Sequence, residues 1–116
     1  MPEATRLLSW NSQGLGNPWT SRSICKILTE QAPMVSFLME TRLDKEGVEN
    51  LYSNLPFPNR VIVKHPNSVG GLALLWKNDV NLEVINFTAN HVLAKVMEED
   101  DYEWYLNCFY GWLEVQ

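Results

Sequence analysis

The sequence predicts an α/β domain whose first half alternates strand and helix and whose second half is a run of strands in a mixed or antiparallel sheet. Three observations carry this. The apolar run Met34-Val35-Ser36-Phe37-Leu38-Met39 has the near-continuous hydrophobicity of a strand covered on both faces. A segment with Ile24, Ile27 and Leu28 at helical spacing precedes it. From Arg60 onward, short β-like runs follow one another, separated by turns rich in Asn, Asp and Gly.

Taken in order, Arg6-Leu7-Leu8-Ser9-Trp10 reads as a short strand that breaks in the turn-rich stretch Asn11-Ser12-Gln13-Gly14-Leu15-Gly16-Asn17-Pro18. Ser21 precedes a helix with Lys26 and Glu30 off its apolar face, and Pro33 stops it. The buried strand 34–39 follows. Asp44 is the N-cap of a second expected helix through Val48, Leu51 and Tyr52, closed by Leu55-Pro56. Five strands come next, over 60–63, 71–76, 82–87, 91–97 and 103–110. The acidic cluster Glu98-Glu99-Asp100-Asp101 forms the tip of the last hairpin and is read as a solvated turn, because it lacks the glycine and ligand spacing of a calcium loop. The predicted order is β-α-β-α and then five strands, with no repeat and no linker.

At 116 residues the chain is the size of one domain, and its 46% hydrophobic and 20% charged composition excludes disorder as the default. No apolar run approaches the roughly 18 residues that a membrane span needs. The opening Met1-Pro2-Glu3-Ala4-Thr5 has no basic segment followed by an apolar one, so no secretory signal is expected. Cys25 and Cys108 lie far apart, and with His65 and His91 they make no zinc signature. Two reduced thiols in the nucleus or cytoplasm is the expectation. Asn86-Phe87-Thr88 matches the glycosylation acceptor pattern, read as chance in a chain without a secretory signal.

The net charge is −5, and it is unevenly placed: seven basic and six acidic side chains through residue 64, then two basic and eight acidic. A nucleic-acid binder normally displays a basic field. Handling DNA would therefore require a positive surface not present here, or a divalent metal to supply the charge.

Several residues have types and positions that suit chemistry. Gly14 and Gly16 hint at a phosphate loop, but the third glycine of GxGxxG and any Walker lysine are missing. Glu40 ends the apolar strand run, where a carboxylate is either a rim charge or a ligand for a hard cation; magnesium asks for only one or two carboxylates beside water and phosphate. Gly70-Gly71 marks a turn or a close backbone approach. His91 opens a strand and reads as a polar end-residue rather than a base. Tyr110, beside Gly111, is either packed or functional.

Four motifs stand in order: Ser9-Trp10-Asn11 with Gly14-Leu15, Phe37-Leu38-Met39-Glu40-Thr41-Arg42, Gly70-Gly71-Leu72-Ala73-Leu74-Leu75-Trp76-Lys77, and Phe109-Tyr110-Gly111. Over roughly residues 6–111 this series resembles the N-terminal half of the endonuclease/exonuclease/phosphatase superfamily, the DNase I-like group. Its wording is most similar to plant LINE-type (non-LTR) retrotransposon endonuclease domains, and less so to the superfamily's phosphatase branch. The resemblance implies half of a four-layered α/β sandwich, so that residues 1–116 form a single truncated domain. It implies a Mg2+-dependent nuclease, with Glu40 holding the ion, Asn11 orienting metal and phosphate, Arg42 supporting the carboxylate from behind, and Tyr110 facing the scissile phosphate as a catalytic residue. It further implies DNA as partner, weakened or lost in a fragment, and no membrane.

The chain also departs from the family pattern. Ser12 and Gln13 stand where Cys-Arg is common, which removes a basic side chain near the phosphate. The Asp-x-Asn pair, the further Asp and the terminal Asp-His pair of the family would all lie beyond Tyr110, and none of these patterns occurs there. Losing a positioned base costs about 10²–10⁴-fold in rate, so a fragment inactive alone is expected. A non-catalytic interaction module is the alternative. A half-sandwich exposes strand edges, which provide a route to self-association.

Overall fold

The computed structural model describes residues 6–11, 18–39, 55, 57–63 and 71–109. Strand β1 (Leu7–Asn11) leads into helix α1 (Pro18–Gln31) and returns as β2 (Val35–Met39), and β1 and β2 pair in parallel. Parallel neighbours need such a crossover, because a tight turn reverses the chain. Strands β3 (Asn59–Val63) and β4 (Leu72–Trp76) follow, and β4 inserts antiparallel between β2 and β3 to give a first sheet ordered β1-β2-β4-β3. The last three strands, β5 (Asn81–Thr88), β6 (His91–Met97) and β7 (Glu103–Phe109), form an antiparallel second sheet in that order.

The α/β class and all seven strands agree with the sequence reading, with ends shifted by a residue or two, but the five later strands are divided: β3 and β4 join the first sheet and β5 to β7 form an antiparallel sheet of their own. The helix begins at Pro18 rather than after Ser21. Proline suits a first helical turn because its missing N–H would be unpaired there anyway. At the other end Ala32 takes φ 44 and its N–H donates to the Leu28 carbonyl at 3.1 Å, closing the helix with a left-handed residue before Pro33. The expected second helix, from Asp44 to Pro56, falls almost wholly outside the described residues.

Three layers result among the described residues. Ile24 and Leu28 of α1 pack with Phe57 on Leu38, Ala73 and Leu75, with Leu8 and Trp10 at the margin. The opposite face of the first sheet, Val35, Phe37, Leu72 and Leu74, packs on Val92, Ala94 and Cys108 of the second. Strands β2 and β4 are covered on both faces, which is why their sequences are apolar without alternation. Strand β6 is covered on one face only, and alternates Val92, Ala94, Val96 inward with Leu93, Lys95, Met97 outward.

Two turns depend on particular backbone geometry. Gly71 enters β4 at φ 107, a region essentially reserved for glycine. The acidic tip between β6 and β7 turns through Asp101 at φ 63 and is closed by the Glu98 N–H donating to the Tyr102 carbonyl at 2.8 Å, a solvated hairpin as its sequence suggests.

Candidate functional site

The parallel pairing of β1 and β2 decides what lies together at one end of the first sheet. Asn11, the last residue of β1, is the register partner of Met39, the last residue of β2. Polar groups gather at such carboxyl ends because the chain leaves the hydrogen-bonded sheet there and can turn side chains toward a ligand. Glu40 follows Met39 directly in the sequence. Glu40, Arg42 and Tyr110 themselves lie outside the described residues, as do the loop 12–17 and Gly70; for Asn11 the backbone placement alone is described.

The strands that lead to these residues converge. Leu7, Leu8 and Ser9 of β1, Val35 and Phe37 of β2, and Leu106 to Phe109 of β7 line one groove of about 280 Å³. Phe109 precedes Tyr110 and pairs with His91 across the second sheet. The elements carrying three of the four motifs therefore border one space, although they are separated by up to a hundred residues of chain. Nothing local in the sequence marks Leu106, Asn107 and Cys108 as part of that groove; only the packing of the two sheets creates it.

Its lining contains no ionised side chain. Burial pushes the Cys108 thiol up to about 11, so it stays protonated at neutral pH and is no nucleophile. Burial raises Cys25 as well. His91 is engaged at both ring nitrogens: Nε2 lies 2.9 Å from Asn86 Oδ1 and Nδ1 lies 2.7 Å from Thr88 Oγ1. The Asn90 N–H also donates to that hydroxyl at 3.2 Å. The imidazole clasps the β5–β6 turn and offers no free nitrogen for proton transfer, in keeping with its reading as a polar strand-end residue.

The acidic tip is likewise used structurally. Trp104 Nε1 donates to Glu98 Oε1 at 2.9 Å, and the Tyr102 N–H to Asp100 Oδ1 at 3.3 Å. Among the described residues no group of three or more His, Cys, Asp or Glu side chains is placed to hold a metal. Among the described residues, the β1–β2 carboxyl end sets the amide residue Asn11 beside Met39, the position preceding Glu40 in the sequence. Its chemistry suits a hard, oxygen-seeking cation.

This topology is that of a partial DNase I-like fold, mixed α/β with two sheets. Among solved structures it is similar to the AP endonuclease LMAP from Leishmania major (TM-score 0.63, 14% identity, 90% of this chain and 39% of that one). It is also similar to the human Nocturnin catalytic domain (0.64, 13%, 88% and 47%) and to the Xenopus laevis APE2 catalytic domain (0.60, 14%, 88% and 43%). The chain thus spans less than half the length of these structures. No protein-family profile matches the sequence, and no curated protein does. No helix among the described residues is long and apolar enough to cross a membrane.

Proposed function

We propose that this chain is part of a magnesium-dependent, phosphodiester-cleaving domain acting on DNA, and that it is inactive by itself. The observation that carries the reading is the DNase I-like topology, which brings the ends of β1 and β2 into register at Asn11 and Met39, one residue before Glu40. Glu40 and Asn11 would hold the ion, whose charge stabilises phosphoryl oxygens in this class of hydrolysis. Arg42 would support the carboxylate from behind, and Tyr110 would face the phosphate. The chain covers 39% and 47% of the AP endonuclease and Nocturnin structures, which supports the reading that residues 1–116 are one part of such a domain.

Plasmid nicking in magnesium tests this, with Glu40→Ala beside the unaltered chain. No nicking by either is expected, together with magnesium binding by the unaltered chain that Glu40→Ala abolishes. Nicking that Glu40→Ala removes would overturn the inactivity, and equal magnesium binding by both would overturn the site. The LINE-type wording of the four motifs further supports a retroelement origin. Asp-x-Asn and Asp-His motifs in the genomic sequence just downstream of the codon for Gln116 are the expected trace of it.

A further inference from the structure

The β5–β6 hairpin joins a bulge to a side-chain clasp. From Asn81 to Val84 the strands keep one register, with Val84 opposite Ala94. Beyond the bulge, Asn86 stands opposite Leu93, Phe87 opposite Val92 and Thr88 opposite His91. Continued without the bulge, the first register would set Ile85 opposite Leu93, Asn86 opposite Val92 and Phe87 opposite His91. The bulge thus takes one residue out of the loop, which shortens from Thr88-Ala89-Asn90 to Ala89-Asn90. Side chains alternate along a strand, so the shift also exchanges faces: Asn86 and Thr88 come to the side of His91, and Phe87 to the side of Val92.

Burial does not select this register. Phe87 is 55% exposed even opposite the buried Val92, and the bulged Ile85 is 44% exposed. The turn opposes it. Two-residue hairpin loops favour types I′ and II′, which need positive φ. Among the described non-glycine residues only Ala32 and Asp101 have positive φ, so Ala89 and Asn90 do not. The three-residue loop of the continued register would place Asn90 at a left-handed position, which asparagine accepts more readily than other side chains do. The clasp favours the observed register. Asn86 Oδ1 only accepts, so His91 Nε2 carries the proton; in the neutral ring Nδ1 accepts the Thr88 hydroxyl proton, and that hydroxyl accepts the Asn90 N–H. Both ring bonds need Asn86 and Thr88 on the side of His91, which the bulged register provides and the continued one does not.

We propose that the β5–β6 hairpin is a two-register element and that His91 is its latch. With the clasp made, the bulged register holds. With the clasp broken, the bulge anneals into the loop, and Phe87 crosses to the outer face beside His91, whose other register partner is Phe109. Among the described residues β5 pairs with β6 alone, so the change displaces no other strand. Turn and side-chain preferences that disagree in this way leave two arrangements close in free energy.

NMR of the full chain reads the register from cross-strand proton contacts. The unaltered chain should show Phe87 against Val92 and Thr88 against His91, with the imidazole nitrogen shifts of an Nε2–H tautomer. His91→Ala should move the equilibrium about tenfold or more toward the continued register, with Phe87 against residue 91 and Asn86 against Val92. Adding Ala89→Asn and Asn90→Gly to that variant supplies a type I′ turn and should restore the first set of contacts. An unaltered chain in the continued register, retention of the bulged register by His91→Ala, or no restoration by the Asn-Gly loop would overturn the proposal. If His91→Ala does not fold, the same Asn-Gly loop in the unaltered chain decides. Exchange of amides 84–94 should then slow about tenfold, because turn and clasp no longer disagree, and unchanged exchange would overturn it.

Discussion

Ser36 offers the sharpest test of how the core is built. It lies in the middle of β2, fully buried, and its hydroxyl has no hydrogen-bond partner among the described residues. Its register partners are Leu8 on one side and Leu75 on the other, and both belong to the cluster under α1 with Ile24, Leu28 and Leu38. An unpaired buried hydroxyl costs about 1–3 kcal/mol of desolvation with nothing in return. Ser36→Ala removes that cost and leaves a void smaller than a methyl group, which gives back somewhat less than about 1 kcal/mol. The net expectation is a gain of about 1 kcal/mol, or a rise of about 4 °C in Tm for a chain of this size. Urea and thermal unfolding followed by circular dichroism, with reversibility checked, measure both. A loss of stability would show that the hydroxyl is paired in the folded state and that the account of this layer is wrong. Ser36→Val, which adds a methyl to a filled layer, should not reproduce the gain.

Three further outcomes follow from the same structure. Ala32→Gly should stabilise the chain by about 1 kcal/mol, because φ 44 is a left-handed conformation that an alanine side chain resists; unchanged urea unfolding would contradict the helix closure described above. The folded-state Cys108 thiol titrates near 11 against an ordinary 9.0, so between those values the native state holds a proton that the unfolded chain has lost. Stability should therefore be complete below pH 9 and fall as pH rises toward 11, and Cys108→Val should flatten that decline relative to the unaltered chain. Leu38→Ala, which empties a fully buried position of β2, should cost about 3–5 kcal/mol in urea unfolding, a large part of the stability of a chain this size.

The parts of the fold that were legible in the sequence are those written in local patterns. Strand β6 shows its one-sided burial in the alternation Val92, Ala94, Val96, and β2 shows its two covered faces in an unbroken apolar run. The insertion of β4 between β2 and β3 had no such signature, since it is a choice among partners that no local pattern records. The bulge between Val84 and Asn86 interrupts a strand without any glycine to announce it. The start of α1 was misplaced because Ser21 is as good a cap by composition as the Asn17-Pro18 pair that precedes the helix. For the site, motif order pointed to Asn11 and Glu40 at strand ends, and the parallel register gives a physical reason why the β1 and β2 ends are together. The groove was illegible because its two sides are joined only through the packing of one sheet on the other.

Strand β1 links the edge of the first sheet to the proposed site. Among the described residues it is held by β2 on one side, and it carries Asn11 at its end. A strand paired on one side opens locally at lower cost than one paired on both, and its terminal residue opens first. Whatever pairs along β1 therefore also fixes the backbone at Asn11, next to the position that precedes Glu40. A second neighbour along β1 would hold that end in the fixed geometry that phosphodiester chemistry requires, which ties the proposed site to the state of this edge.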